Sequence, residues 1–120
     1  MSRPCCEWCT KAHSAVAAGA YRDEVRVSAV LSDLDAAPIA EPLRATLRML
    51  RNLVPARAVD VDDMRAVLAA GVTPEQVEDA LAVCFAFNIV GRLADAFGFF
   101  QPSPAAFGAG AKYLLARGYR

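Results

Sequence analysis

No run of 18 apolar residues in this 120-residue chain is without a charge, so no transmembrane helix is expected. The longest apolar candidate, Ala80 to Val90, contains Asn88 and runs on to Arg92 and Asp95. The start has no long apolar core of the signal-peptide kind, which places the protein in the cytoplasm. Charge of one sign is lacking too: 13 basic and 13 acidic residues give a formal net charge of zero, so neither nucleic acid nor a membrane surface is an expected partner. Aromatics are sparse at 8%. There is no low-complexity linker, no internal repeat and no composition shift, so residues 1–120 read as one domain. Histidine occurs once, and neither a second CxxC nor an HxxxH pair is present.

Ala and Leu dominate what is there. A hydrophobic content of 56% favours helices over sheets and hints at apolar surface buried between subunits. Four cysteines in a chain without secretory features read as reactive or ligating thiols, not as a disulfide framework.

Three of those cysteines cluster in Cys5-Cys6-Glu7-Trp8-Cys9-Thr10-Lys11-Ala12-His13, a C-x-x-C-x-x-x-H pattern leading into an alanine-rich helical stretch. On a helix, positions 6, 9 and 13 fall within about 60° of one another. Cys6 and Cys9 at i, i+3 are spaced for a disulfide, and His13 follows one turn after Cys9. Pro4 suits the first helical position, which would put Cys6 in the first turn. There the helix dipole and a nearby imidazolium both favour thiolate over thiol. A thiolate beside a second thiol can attack a peroxide, become a sulfenic acid and condense to a disulfide. Two other readings stay open. Cys6, Cys9 and His13 could ligate zinc with Cys5 or Cys84 as the fourth group, or the cysteines could be small core residues.

Further along, Tyr21 to Ser32 is expected to be a short helix and Asp33 to Ala40 a connection. A helix from Pro42 to Val54 carries a Leu43, Leu47, Leu50, Val54 stripe, and Pro55 ends it. Its row of Arg44, Arg48 and Arg51 suits a solvated or subunit-bridging face better than an anion site. Asp60 caps a helix over Val61–Ala70, closed by Gly71. Thr73-Pro74-Glu75-Gln76 is a capping box with proline at the first position, opening a helix to Phe97 that Gly98 stops. That helix is apolar nearly all round from Ala80 to Val90, the pattern of a central buried helix. Asn88, Arg92 and Asp95 form one polar stripe on it, expected to be buried and structural. Ser103 and Pro104 start a last helix through Arg117, with Gly118 as its stop.

Taken together, CEWCTKAH and TPEQVEDALAVCFAFNIVGRLADAFGF resemble the alkylhydroperoxidase D/carboxymuconolactone decarboxylase superfamily, in its peroxidase-related branch. The closing KYLLARGYR is similar to that branch as well, so the resemblance covers nearly the whole chain. It implies an all-α, AhpD-like helical bundle of about six helices around a long buried central one, assembled into homo-oligomers, commonly trimers or hexamers. It also implies thiol-dependent reduction of a hydroperoxide, with Cys9 peroxidatic, Cys6 resolving and His13 the proton relay. The electrons would come from a dithiol such as a lipoyl-type protein, with no metal or organic cofactor. The family's relay glutamate, about a dozen residues before the first cysteine, would fall before Met1, and the preceding helices are missing with it. An N-terminal truncation is therefore expected. Losing acid–base assistance of this kind typically costs about 10²–10⁴-fold in rate. Trp8 stands where other members can carry a histidine, and Cys5 adds a third thiol.

Overall fold

A computed structural model describes residues 6–119, and among these every regular element is helical. In chain order they are α1 (Glu7–Tyr21), α2 (Glu24–Ser32), α3 (Glu41–Ala56), α4 (Val61–Ala69), α5 (Pro74–Phe97) and α6 (Pro104–Arg117). The expected all-α class with about six helices is what the chain adopts.

The helix ends follow local chemistry. Asp60 accepts the Asp62 N–H at 2.7 Å, and Gly71 takes φ 87° just after α4. Thr73 and Gln76 bond reciprocally, the Thr73 N–H donating to Gln76 Oε1 and the Gln76 N–H to Thr73 Oγ1, which closes the capping box of α5. Ser103 accepts the Ala106 N–H ahead of Pro104, and Gly98 and Gly118 stop α5 and α6 with positive φ. One expected stop fails. Pro55 lies inside the last turn of α3, which continues to Ala56 and ends at Arg57 in the left-handed region. A proline this close to a C-terminus forfeits one backbone bond of a turn that already lacks several, so the helix runs through it.

The chain forms two compact units. One comprises residues 29–87. Its core is Ala45 and Met49 of α3, Val67 of α4, Val72 of the turn before α5 and Val77 of early α5, with Leu50, Val59, Met64, Ala70 and Leu81 packed around them. The buried face of α3 is therefore centred on Met49. Of the Leu43, Leu47, Leu50, Val54 stripe, Leu50 packs against that core, while Leu43 and Val54 are exposed. The α3 arginine row belongs to the same unit and braces the connection before α3. Arg44 donates to the carbonyls of Leu34, Asp35 and Ile39, while Arg48 and Arg51 pair with Asp35 and Arg48 also with Glu41. The Arg48 and Arg51 pairs lie at the surface, in keeping with a solvated face, and they also tie the row to its own chain. Replacing Arg44 by Lys removes the planar fork that serves three carbonyls. The expected loss is about 1–3 kcal/mol, with faster amide exchange over residues 33–40 as the measurement.

The other unit comprises residues 6–28 and 88–119 of the described chain. Here α1 packs along α6, close enough that a Cβ on Gly19 would lie 2.7 Å from Leu115 Cδ1. Phe107 and Ala111 are the buried residues of α6.

Helix α5 runs from one unit into the other, and it departs from the expected buried central helix. Its more buried positions, Val77, Ala80, Leu81, Cys84, Asn88, Gly91 and Ala94, keep to one side of the helix. Around them Val83, Phe85, Ile89, Val90, Leu93 and Phe97 are exposed. The polar stripe is not buried either: Asn88 is half-buried, and Arg92 and Asp95 are exposed. By length and composition alone α5 is apolar enough to cross a membrane, contrary to the expectation that no segment would be. Its charge-free core, Ala80 to Gly91, spans only about 18 Å at the helical rise, against a hydrocarbon layer of about 30 Å.

Candidate functional site

The N-terminus of α1 holds the dithiol. Cys6 is not in the first turn, as a start at Pro4 would have made it. Pro4 and Cys5 lie outside the described residues, and Cys6 is the residue that caps a helix beginning at Glu7. Its sulfur takes the place of a capping oxygen: the Cys9 N–H donates to Cys6 Sγ at 3.1 Å. The Cys6 carbonyl meanwhile accepts from both the Thr10 N–H and the Thr10 hydroxyl. These bonds hold Cys6 at φ 153°, ψ 102°, a conformation that side-chain-bearing residues rarely adopt. Backbone strain of this kind costs about 1–3 kcal/mol and collects at sites of function.

Both thiols are buried, Cys6 at 4% and Cys9 at 8% exposure, in a cluster with Ala94 of α5 and partly buried Trp8. Trp8 packs edge-on against Phe99 and Phe107, with ring centroids 5.8 and 6.1 Å away. The residue between the two cysteines thus anchors the head of α1 to the segment after α5 and to α6.

His13 sits one turn beyond Cys9. Its Nδ1 lies 3.2 Å from the Tyr119 hydroxyl, and the two rings are stacked nearly parallel at 11°. Tyr119 was not legible as a site residue: it follows α6 in a stretch with no catalytic pattern, and only the turn at Gly118 and the α1–α6 packing bring it to His13. Burial pushes the His13 imidazole below its ordinary value by penalising the charged form. The imidazolium invoked from the sequence to favour a thiolate is therefore disfavoured by burial. Among the described residues, no three His, Cys, Asp or Glu side chains converge as a metal-ion site.

No protein-family model, curated protein or solved structure matches this chain. Cys6, Cys9 and His13 share the head of α1, and Cys84 lies on α5 in the other compact unit.

The sign of the His13 effect on stability follows from linkage. A histidine whose folded value is depressed leaves the unfolded chain binding more protons, so its contribution is complete above about pH 6.5. It is lost as pH falls through the lower folded value. Denaturant unfolding at pH 7.5 and 5.5 is expected to show lower stability at 5.5, with the difference reduced in His13→Gln.

Proposed function

We propose that this protein is an AhpD-like, thiol-dependent hydroperoxidase working as a homo-oligomer. The observation that carries the reading is the Cys9 N–H bond to Cys6 Sγ, which sets both cysteines within one turn at a helix N-terminus. A thiol pair so placed needs little backbone motion to close a disulfide.

In the proposed cycle the Cys9 thiolate attacks the distal oxygen of the hydroperoxide and the O–O bond breaks. The leaving alkoxide takes up a proton, giving an alcohol and Cys9 sulfenic acid. The Cys6 thiol attacks the sulfenic sulfur, water leaves, and the disulfide forms. An external dithiol of the lipoyl type returns both cysteines to thiols by exchange and is itself oxidised. His13 carries the Cys9 proton on Nε2. That role requires Nδ1–H to donate to Tyr119, so Tyr119 orients the ring as carboxylates do in other relays.

The test is peptide mapping of the reduced, metal-free protein after one equivalent of hydroperoxide. A Cys6–Cys9 link, two hydrogens lighter and reversed by dihydrolipoamide, is the expected result. Unchanged thiols, or indiscriminate oxidation that includes Cys84, would end this reading.

The burial of Cys6 and Cys9 in a cluster with Trp8 packed against it supports a second reading, a structural domain in which the pair is core; zinc held by the pair is the variant of that reading a metal assay tests. One zinc per chain, lost with Cys6→Ser, is its signature. A redox sensor would instead form the same disulfide with little turnover.

A further inference from the structure

The hydrogen bond between His13 and Tyr119 can do more than orient the imidazole, because either partner can donate it. A neutral imidazole carries its proton on one ring nitrogen and accepts at the other. With the proton on Nδ1, the 3.2 Å bond runs from Nδ1–H to the Tyr119 oxygen; with the proton on Nε2, it runs from the Tyr119 hydroxyl to Nδ1. A phenol hydroxyl both donates and accepts, so the bond reverses without moving a heavy atom. The rings are held side by side for this, nearly parallel at 11° with centroids 6.2 Å apart.

Burial makes the reversal useful. Once Nε2 takes the Cys9 proton, the ring must either hold two protons or pass one on. His13 is half-buried, and burial penalises its charged form. Water is remote from the proton's source, since Cys6 and Cys9 are both buried. Tyr119 lies past the end of α6 and is 70% exposed. Its hydroxyl therefore joins a half-buried ring nitrogen to a side chain that solvent reaches.

We propose that Tyr119 is the proton outlet of the site: as the Cys9 thiol proton arrives on Nε2 of His13, the Nδ1 proton crosses to the Tyr119 oxygen and the hydroxyl proton passes to water. The leaving alkoxide then takes the Nε2 proton, Tyr119 returns a proton to Nδ1, and water restores the hydroxyl. One proton goes out and one comes back, and His13 carries a single proton before and after each transfer. Tyr119 touches no substrate and acts only through His13. This route rests on the thiol-dependent cycle proposed above and extends the ring-orienting role of Tyr119 given there.

Rapid-quench oxidation of the reduced full chain by tert-butyl hydroperoxide, with Cys9 followed by peptide mapping in mixtures of light and heavy water, tests it. In the parent protein the rate should curve with the deuterium fraction, because more than one proton moves with the chemical step. Tyr119→Phe keeps the ring and loses the hydroxyl. It should react about 10²-fold more slowly, at the lower end of what acid–base assistance supplies, and with the linear dependence of a single proton. Helical circular dichroism should be unchanged, because position 119 is exposed and lies outside every helix. A slower Tyr119→Phe with linear dependence in both proteins reduces Tyr119 to orienting the ring and overturns the outlet. A Tyr119→Phe protein that is as fast as the parent, or that keeps its curvature, overturns it as well. All of these leave the thiol cycle standing, whereas no oxidation of Cys9 in the parent overturns the outlet together with that cycle.

Discussion

Cys9→Ser is expected to leave hydroperoxide unconsumed, while Cys6→Ser is expected to stop the cycle one step later, with a sulfenic acid on Cys9. The two variants should differ because in the proposed cycle only one sulfur receives the peroxide oxygen. Without Cys9 the thiol one turn before His13 is gone, and a serine hydroxyl in its place remains protonated. Without Cys6, the oxidised Cys9 has no neighbour one turn away to expel water, and a dimedone-type trap should capture it. Both variants keep a small polar side chain at the buried position, and Ser at position 6 retains an atom able to accept the Cys9 N–H that Cys6 Sγ now accepts. Loss of turnover is therefore not a loss of the helix cap. Cys84→Ser, on α5 outside the dithiol cluster, should retain wild-type consumption. Mass spectrometry of trapped peptides with a coupled peroxide assay reads all three. If the trap labels Cys6 in the Cys9→Ser protein and peroxide is still consumed, the roles of the two thiols are reversed. If none of the variants differs from the parent, the dithiol is structural.

The parts of this molecule that were legible in the sequence are those decided within a few residues. Thr73 and Gln76, Asp60, Ser103 with Pro104, and the positive-φ glycines at 71, 98 and 118 mark helix ends through contacts at most three or four residues long. The C-x-x-C spacing was legible for the same reason, because adjacent turns of one helix bring Cys6 and Cys9 together. What was not legible depends on which helix faces which. The leucines of α3 suggested a core stripe, but Ala45 and Met49 form the contact with α4, where the small alanine side chain permits close approach. The 24-residue α5 was expected inside because it is apolar nearly all round, whereas one chain covers only one side of it. Hydrophobicity records that a surface will be covered and is silent on whether the cover is the same chain. Arg44 and Tyr119 were missed as structural and site residues for a related reason. Their partners, the carbonyls of Leu34, Asp35 and Ile39 and the ring of His13, lie up to 106 residues away in sequence.

Met49 provides the sharpest energetic test of that correction. Its side chain has no exposed surface, and among the described residues only Val67 shares that complete burial. It is enclosed by Ala45, Val67, Val72 and Val77, drawn from three helices and the turn before α5, so truncation leaves a hole that no single side chain can fill. Met49→Ala is expected to cost about 2–5 kcal/mol, from lost transfer energy plus the residual cavity. Small domains hold only about 5–15 kcal/mol in total, so this one change consumes a large share of the stability. Met49→Leu, which conserves volume, should cost less than about 1.5 kcal/mol. Val54→Ala provides the contrast. The leucine-rich stripe makes position 54 a core residue, but in the fold it is 54% exposed, and surface changes there should stay within about 0.5 kcal/mol. Denaturant unfolding of the three variants decides between the two faces of α3. A large loss at Met49 with a negligible one at Val54 establishes the Ala45–Met49 face as the core, and the reverse order would return the core to the leucine stripe.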